Sequence, residues 1–169
     1  MRKTFCILVS LGLLLLCGCK NESCGVTAIT DGLNFTAKIE FKKECYEYNV
    51  EIPKESNMRM EAVFPENLKG MVLEFSDTSV TVDYNGIEYN MTLSDLPLSS
   101  TIGFIYTVFS DAGTKKEDVI LRNDEFFISG KTPAYEYNLY FGTTGLPIKI
   151  TNDKNDITAI IENATIIKN

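Results

Sequence analysis

Histidine is absent from the 169 residues, and so is tryptophan. Without an imidazole there is no Ser-His-Asp or Cys-His catalysis and no usual zinc ligand set. A hydrolase built on this chain would have to work with carboxylates alone. Glu61, Glu74, Asp83 and Glu88 fall on the polar phase of alternating segments, where they read as a solvated face rather than a glycosidase pair. The oxygen-rich run Asn152-Asp153-Lys154-Asn155-Asp156 lacks the spacing and the glycine of a calcium loop, so it reads as a turn and no metal is expected. No glycine-rich phosphate loop is present either, because Gly142 and Gly145 lie between two strand patterns with no helix to follow. The sequence therefore offers no catalytic residue and no cofactor site.

Positive charge is also scarce. Lys and Arg number 16 against 23 Asp and Glu, for a net charge of −7, and no basic run supplies a local attraction to nucleic acid. The same charge repels an anionic membrane surface. A long apolar run is missing too. The run at 5–16 is soon broken by Gly18, Lys20, Asn21 and Glu22, well short of the roughly 20 residues that a bilayer-spanning helix needs.

What is present begins with that short run. Arg2 and Lys3 precede it and Leu16-Cys17-Gly18-Cys19 ends it, the order of a lipoprotein signal peptide over residues 1–18 with its lipobox at Cys19. Lipid on Cys19 would hold an extracytoplasmic domain at the membrane, because each buried methylene contributes about 0.8 kcal/mol. Residues 19–31 form a polar tether, and 32–169 a single domain with no repeat and no linker. Of the remaining cysteines, Cys24 and Cys45 form an even pair in an exported chain; spacing alone leaves both one disulfide and two free thiols open. The bias toward Ile, Lys, Asn and Tyr points to a low-GC Gram-positive host.

Period two dominates the domain. Leu33, Phe35, Ala37, Ile39 and Phe41 alternate with polar residues, and after Lys42-Lys43-Glu44 so do Tyr46, Tyr48, Val50 and Ile52, the pattern of a half-buried hairpin. Similar runs follow at 58–64, 71–75, 79–84 and 87–91, with Asn85-Gly86 as a hairpin turn. One segment changes period: Ile102, Ile105, Tyr106 and Phe109 sit at helical spacing, with Ser99 or Ser100 as N-cap and Gly113 as a stop. Strand patterns return at 119–121, 125–131 (after an Asn123-Asp124 turn), 135–141, 147–151 and 157–167. The expected fold is mainly β, a curved antiparallel sheet of about eleven strands forming an unclosed half-barrel with one main helix at its concave face. That face would collect Phe35, Ile39, Tyr48, Val50, Met60, Val82 and Tyr84 from the strands, with Ile105 and Phe109 from the helix. These side chains either fill a core or line an apolar concavity for an acyl chain or a partner's apolar element.

Several short motifs carry a family resemblance. The lipobox, Gly32-Leu33-Asn34-Phe35-Thr36-Ala37-Lys38-Ile39, the Leu96-Pro97-Leu98 helix start, and Tyr137-Asn138-Leu139-Tyr140-Phe141 followed by Thr144-Gly145-Leu146-Pro147-Ile148-Lys149-Ile150 resemble the LolA/LolB lipoprotein-carrier superfamily. The resemblance implies an unclosed barrel that in many members holds lipid acyl chains. In size, lipobox and single domain the chain is also similar to the clostridial spore-germination lipoproteins of the GerS branch. That similarity implies a non-enzymatic partner that binds and activates a peptidoglycan amidase of the spore cortex. Residues 20–31 depart from the superfamily pattern, being too short and too polar for the helix that usually precedes the first strand.

Overall fold

The computed structural model describes residues 27–54, 57–97, 100–115, 119–122 and 125–167. The leader, Cys19, Cys24 and the Asn123-Asp124 turn lie outside the described residues. The chain opens with a short helix α1 (Thr27–Asp31) and then six strands: β1 (Leu33–Phe41), β2 (Glu44–Ile52), β3 (Arg59–Phe64), β4 (Val72–Phe75), β5 (Ser79–Tyr84) and β6 (Ile87–Thr92). A single 3-10 turn (Leu93–Asp95) leads to helix α2 (Thr101–Thr114). Five strands complete the fold: β7 (Ile120–Arg122), β8 (Glu125–Lys131), β9 (Glu136–Phe141), β10 (Pro147–Asn152) and β11 (Ile157–Ile166).

All eleven strands join one antiparallel sheet in the order β6-β5-β4-β3-β2-β1-β11-β10-β9-β8-β7. The first and last strands are neighbours at its centre, so two meanders run outward from them. The sheet is not closed, because β6 and β7 are its two free edges. Tight turns set the register. Lys42 and Lys43 (φ 52° and 68°) join β1 to β2, and Asn85-Gly86 (φ 53° and 78°) joins β5 to β6, the positive-φ pairs that two-residue hairpins require.

This topology also explains where the helix lies. Residues 93–119 must travel from one free edge to the other. Flat, a sheet of eleven strands would be about 48 Å wide, whereas fourteen helical residues span about 21 Å. The short route is therefore across a curled sheet, over its apolar face. Ser100 starts the helix by accepting a hydrogen bond from the Gly103 N–H at 3.0 Å.

Three details differ from the sequence reading. The segment 19–31 is not tether throughout, because its last five residues form α1, whose Ile29 is buried beside α2. Gly113 does not stop the main helix, which runs through it to Thr114 with Lys115 as C-cap. The buried stripe of α2 is Thr101, Phe104, Ile105, Val108 and Ala112, with Phe109 beside it, so Ile102 and Tyr106 flank the buried face rather than centre it.

Candidate functional site

The concave face is best followed along one row of cross-strand neighbours. From the sheet centre outward, Phe35 pairs with Val50, Val50 with Met60, Met60 with Leu73, Leu73 with Val82, and Val82 with Tyr89. Every residue of the row is apolar or aromatic. Exposure is 4% or less from Phe35 through Leu73, Val82 is half-buried, and Tyr89 is 60% exposed. The row starts as core and ends as surface.

Over its inner part lies α2. Phe109 packs on Phe35 with ring centroids 4.9 Å apart, Tyr106 stacks on Phe75 at 4.5 Å, and Phe104 meets Tyr135 edge-on at 5.1 Å. The Tyr48 hydroxyl shares a buried 3.0 Å hydrogen bond with the Thr101 hydroxyl. Burial pushes the Tyr48 phenol up, against the opposing pull of Thr101. At the far end of the helix, the Tyr137 hydroxyl and the Lys115 ammonium both donate to Asp111 Oδ2 at 2.7 Å. Burial first, and then Asp111, hold the Tyr137 phenol well above its ordinary range.

Of the nine candidate side chains, seven come together: Phe35, Ile39, Tyr48, Val50 and Met60 from the sheet, and Ile105 and Phe109 from the helix, all buried in one core cluster. Val82 and Tyr84 share the same pleat but are half-buried, Val82 against the edge of that core, and the Tyr84 hydroxyl donates to the Asn67 carbonyl at 2.8 Å. A cavity of about 180 Å³ opens beside α2, with Met58, Phe75 and Tyr106 on its apolar side and Asn57, Asp77 and Ser110 on its polar side. That is below the range of about 300–1,000 Å³ typical of sites that enclose a small molecule. Cys45 is exposed at the start of β2.

The sequence reading did not single out Ile87 or Tyr89, which lie past Val82 on β6 at 73% and 60% exposure. Their signal was present in the alternation of Ile87, Tyr89 and Met91, but alternation does not say whether a layer covers the face. On the opposite face of the same hairpin, Asp83 pairs directly with Glu88, and both are exposed. Like charges directly opposite are unfavourable, and among the described residues neither carboxylate has a cationic partner. Among the described residues, no cluster of three or more His, Cys, Asp or Glu is placed to hold a metal ion.

No protein-family model matches the chain, and no curated protein does. Among solved structures, an uncharacterized conserved protein from Thermus thermophilus is similar over 86% of this chain and 85% of its own, with a TM-score of 0.55 and 11% identity. The likeness is one of fold. A LolA superfamily protein from Nitrosomonas europaea is similar over 85% of this chain and 93% of its own, with a TM-score of 0.41 and 11% identity.

Proposed function

We propose that the chain is a non-enzymatic binding domain, lipid-anchored at Cys19 on the outer side of a membrane, that docks another envelope protein. The partner class is an enzyme of the cell wall or spore cortex, such as a peptidoglycan amidase. One observation carries this reading: the chain's own helix occupies the concave floor, while an apolar strip at the β6 edge is left uncovered. Phe109 on Phe35 and Thr101 on Tyr48 take the place that an acyl chain would need. Ile87 and Tyr89, in contrast, present apolar surface to solvent, as Ile120 and Leu121 do at the other edge, and exposed apolar surface supports a docking reading. The likeness to the germination lipoproteins in size, lipobox and single domain supports a partner role of that kind.

The second reading, a carrier or acceptor of acyl chains, has in its favour only the small cavity beside α2, where Met58, Phe75 and Tyr106 meet the polar Asn57, Ser76, Asp77 and Ser110. It requires α2 to move off the floor. Native mass spectrometry of the full chain in detergent, before and after organic extraction and alongside chemical cross-linking in membranes, separates the two. The docking reading expects no extractable lipid mass and a cross-linked adduct with an envelope protein. A stoichiometric lipid that extraction removes would overturn it in favour of the carrier.

A further inference from the structure

The two free edges of the sheet are unlike. Natural edge strands are shielded by charged side chains, lysine above all, or by proline, bulges or shortness, because an unpaired row of N–H and C=O groups templates the addition of another strand. The β7 edge is three residues long. The β6 edge, Ile87-Glu88-Tyr89-Asn90-Met91-Thr92, contains neither lysine nor proline. It pairs with β5 through six successive residues without a register shift. It is the longer edge, and Glu88 is its one charged side chain.

Its two faces specify what could be added. On the concave side, Ile87 and Tyr89 are exposed and Met91 is half-buried, so a neighbouring strand would meet apolar side chains at alternate positions. On the other side, Glu88 stands directly opposite Asp83, with no cationic partner for either among the described residues. The next strand out would place one side chain opposite Glu88. A lysine or arginine there would relieve the repulsion between the two carboxylates, whereas an acid would add to it. A second copy of this chain fits poorly, since β6 against β6 brings Glu88, Asn90 and Thr92 but no cation to the same face, in a chain of net charge −7.

We propose that β6 is the docking edge and that its occupant is an extended segment of the partner protein reading apolar–basic–apolar, added to the sheet as a further strand. The inference rests on the docking reading. Main-chain hydrogen bonds supply affinity, and the alternating side chains supply selectivity.

The test uses the full chain in detergent micelles and three fluorescein-labelled hexapeptides: Thr-Ile-Lys-Val-Lys-Ile, the same peptide with both lysines replaced by glutamate, and a scramble with the lysines adjacent. The expected result is saturable binding of the first at least tenfold tighter than the other two, with hydrogen exchange slowed over 87–92 and not over 120–122. Glu88→Lys should reverse the preference between lysine and glutamate peptides, and Ile87→Asp, at a position 73% exposed, should weaken both without altering the circular dichroism spectrum. Equal binding of the scramble would overturn the proposal, since bulk charge alone would then account for it. So would protection confined to other strands, an outcome that leaves the docking role itself standing. Extractable lipid in the mass spectrum is the separate result that removes the docking role.

Discussion

Gly130 and Tyr137 face each other across β8 and β9, and the glycine is there for want of room. A Cβ on Gly130 would run into the ring carbons and hydroxyl of Tyr137. The bare backbone lets that ring lie over the strand and reach Asp111, which Lys115 also holds, so one phenol ties the end of α2 to the sheet. Gly130→Ala should destabilise the domain by about 1–3 kcal/mol, read as a lower urea midpoint at unchanged m-value. An unchanged midpoint would mean that Tyr137 yields without loss. A lone glycine inside a strand pattern signals close backbone approach. Position 130 therefore carried a legible hint, but its partner across the sheet did not.

At the scale of elements, α2 decides what the sheet's inner face becomes. Its start was readable in the chain, because a serine that satisfies an N–H of the first turn is a local device. Ser100→Ala removes the acceptor for the Gly103 N–H and should cost about 0.5–2 kcal/mol in chemical denaturation, with the far-UV helical signal reduced first. A loss smaller than this range would show that packing alone holds the first turn. The rotation of the helix was less legible. Apolar residues from Thr101 to Ala112 cover more than half its circumference, so spacing marked a helix without choosing which stripe faces in. Ala112, small and buried, shares the inward stripe with Phe104 and Val108. Helix α1 is not legible in the sequence because five residues carry too little periodicity, and its Ile29 is buried where α1 meets α2 and β1.

For the molecule as a whole, the tyrosines report on the fold. Burial pushes Tyr135 up to about 12, its hydrogen bond to Glu44 and then burial push Tyr46 up to about 12, and Tyr48 and Tyr137 are raised chiefly by burial. A phenol with a raised pKa holds its proton more tightly folded than unfolded. The stability it contributes is complete below about pH 10, the unfolded value, and declines as pH rises toward 12. The melting temperature should therefore fall across that window, and absorbance at 295 nm should show part of the tyrosine set ionising late. All eight phenols titrating together near 10 would contradict this. By itself, the chain determined its period-two strands, their turns at Lys42-Lys43 and Asn85-Gly86, and which side chains share a pleat, because hydrophobic alternation and turn conformations are local properties. Only the tertiary structure decided that Met60 is core while Tyr89, in the same row and on the same face, meets water. That difference depends on how far α2 reaches on its way between the two free edges. No residue of β3 or β6 encodes that distance, which comes from the strand order and curl of the whole sheet.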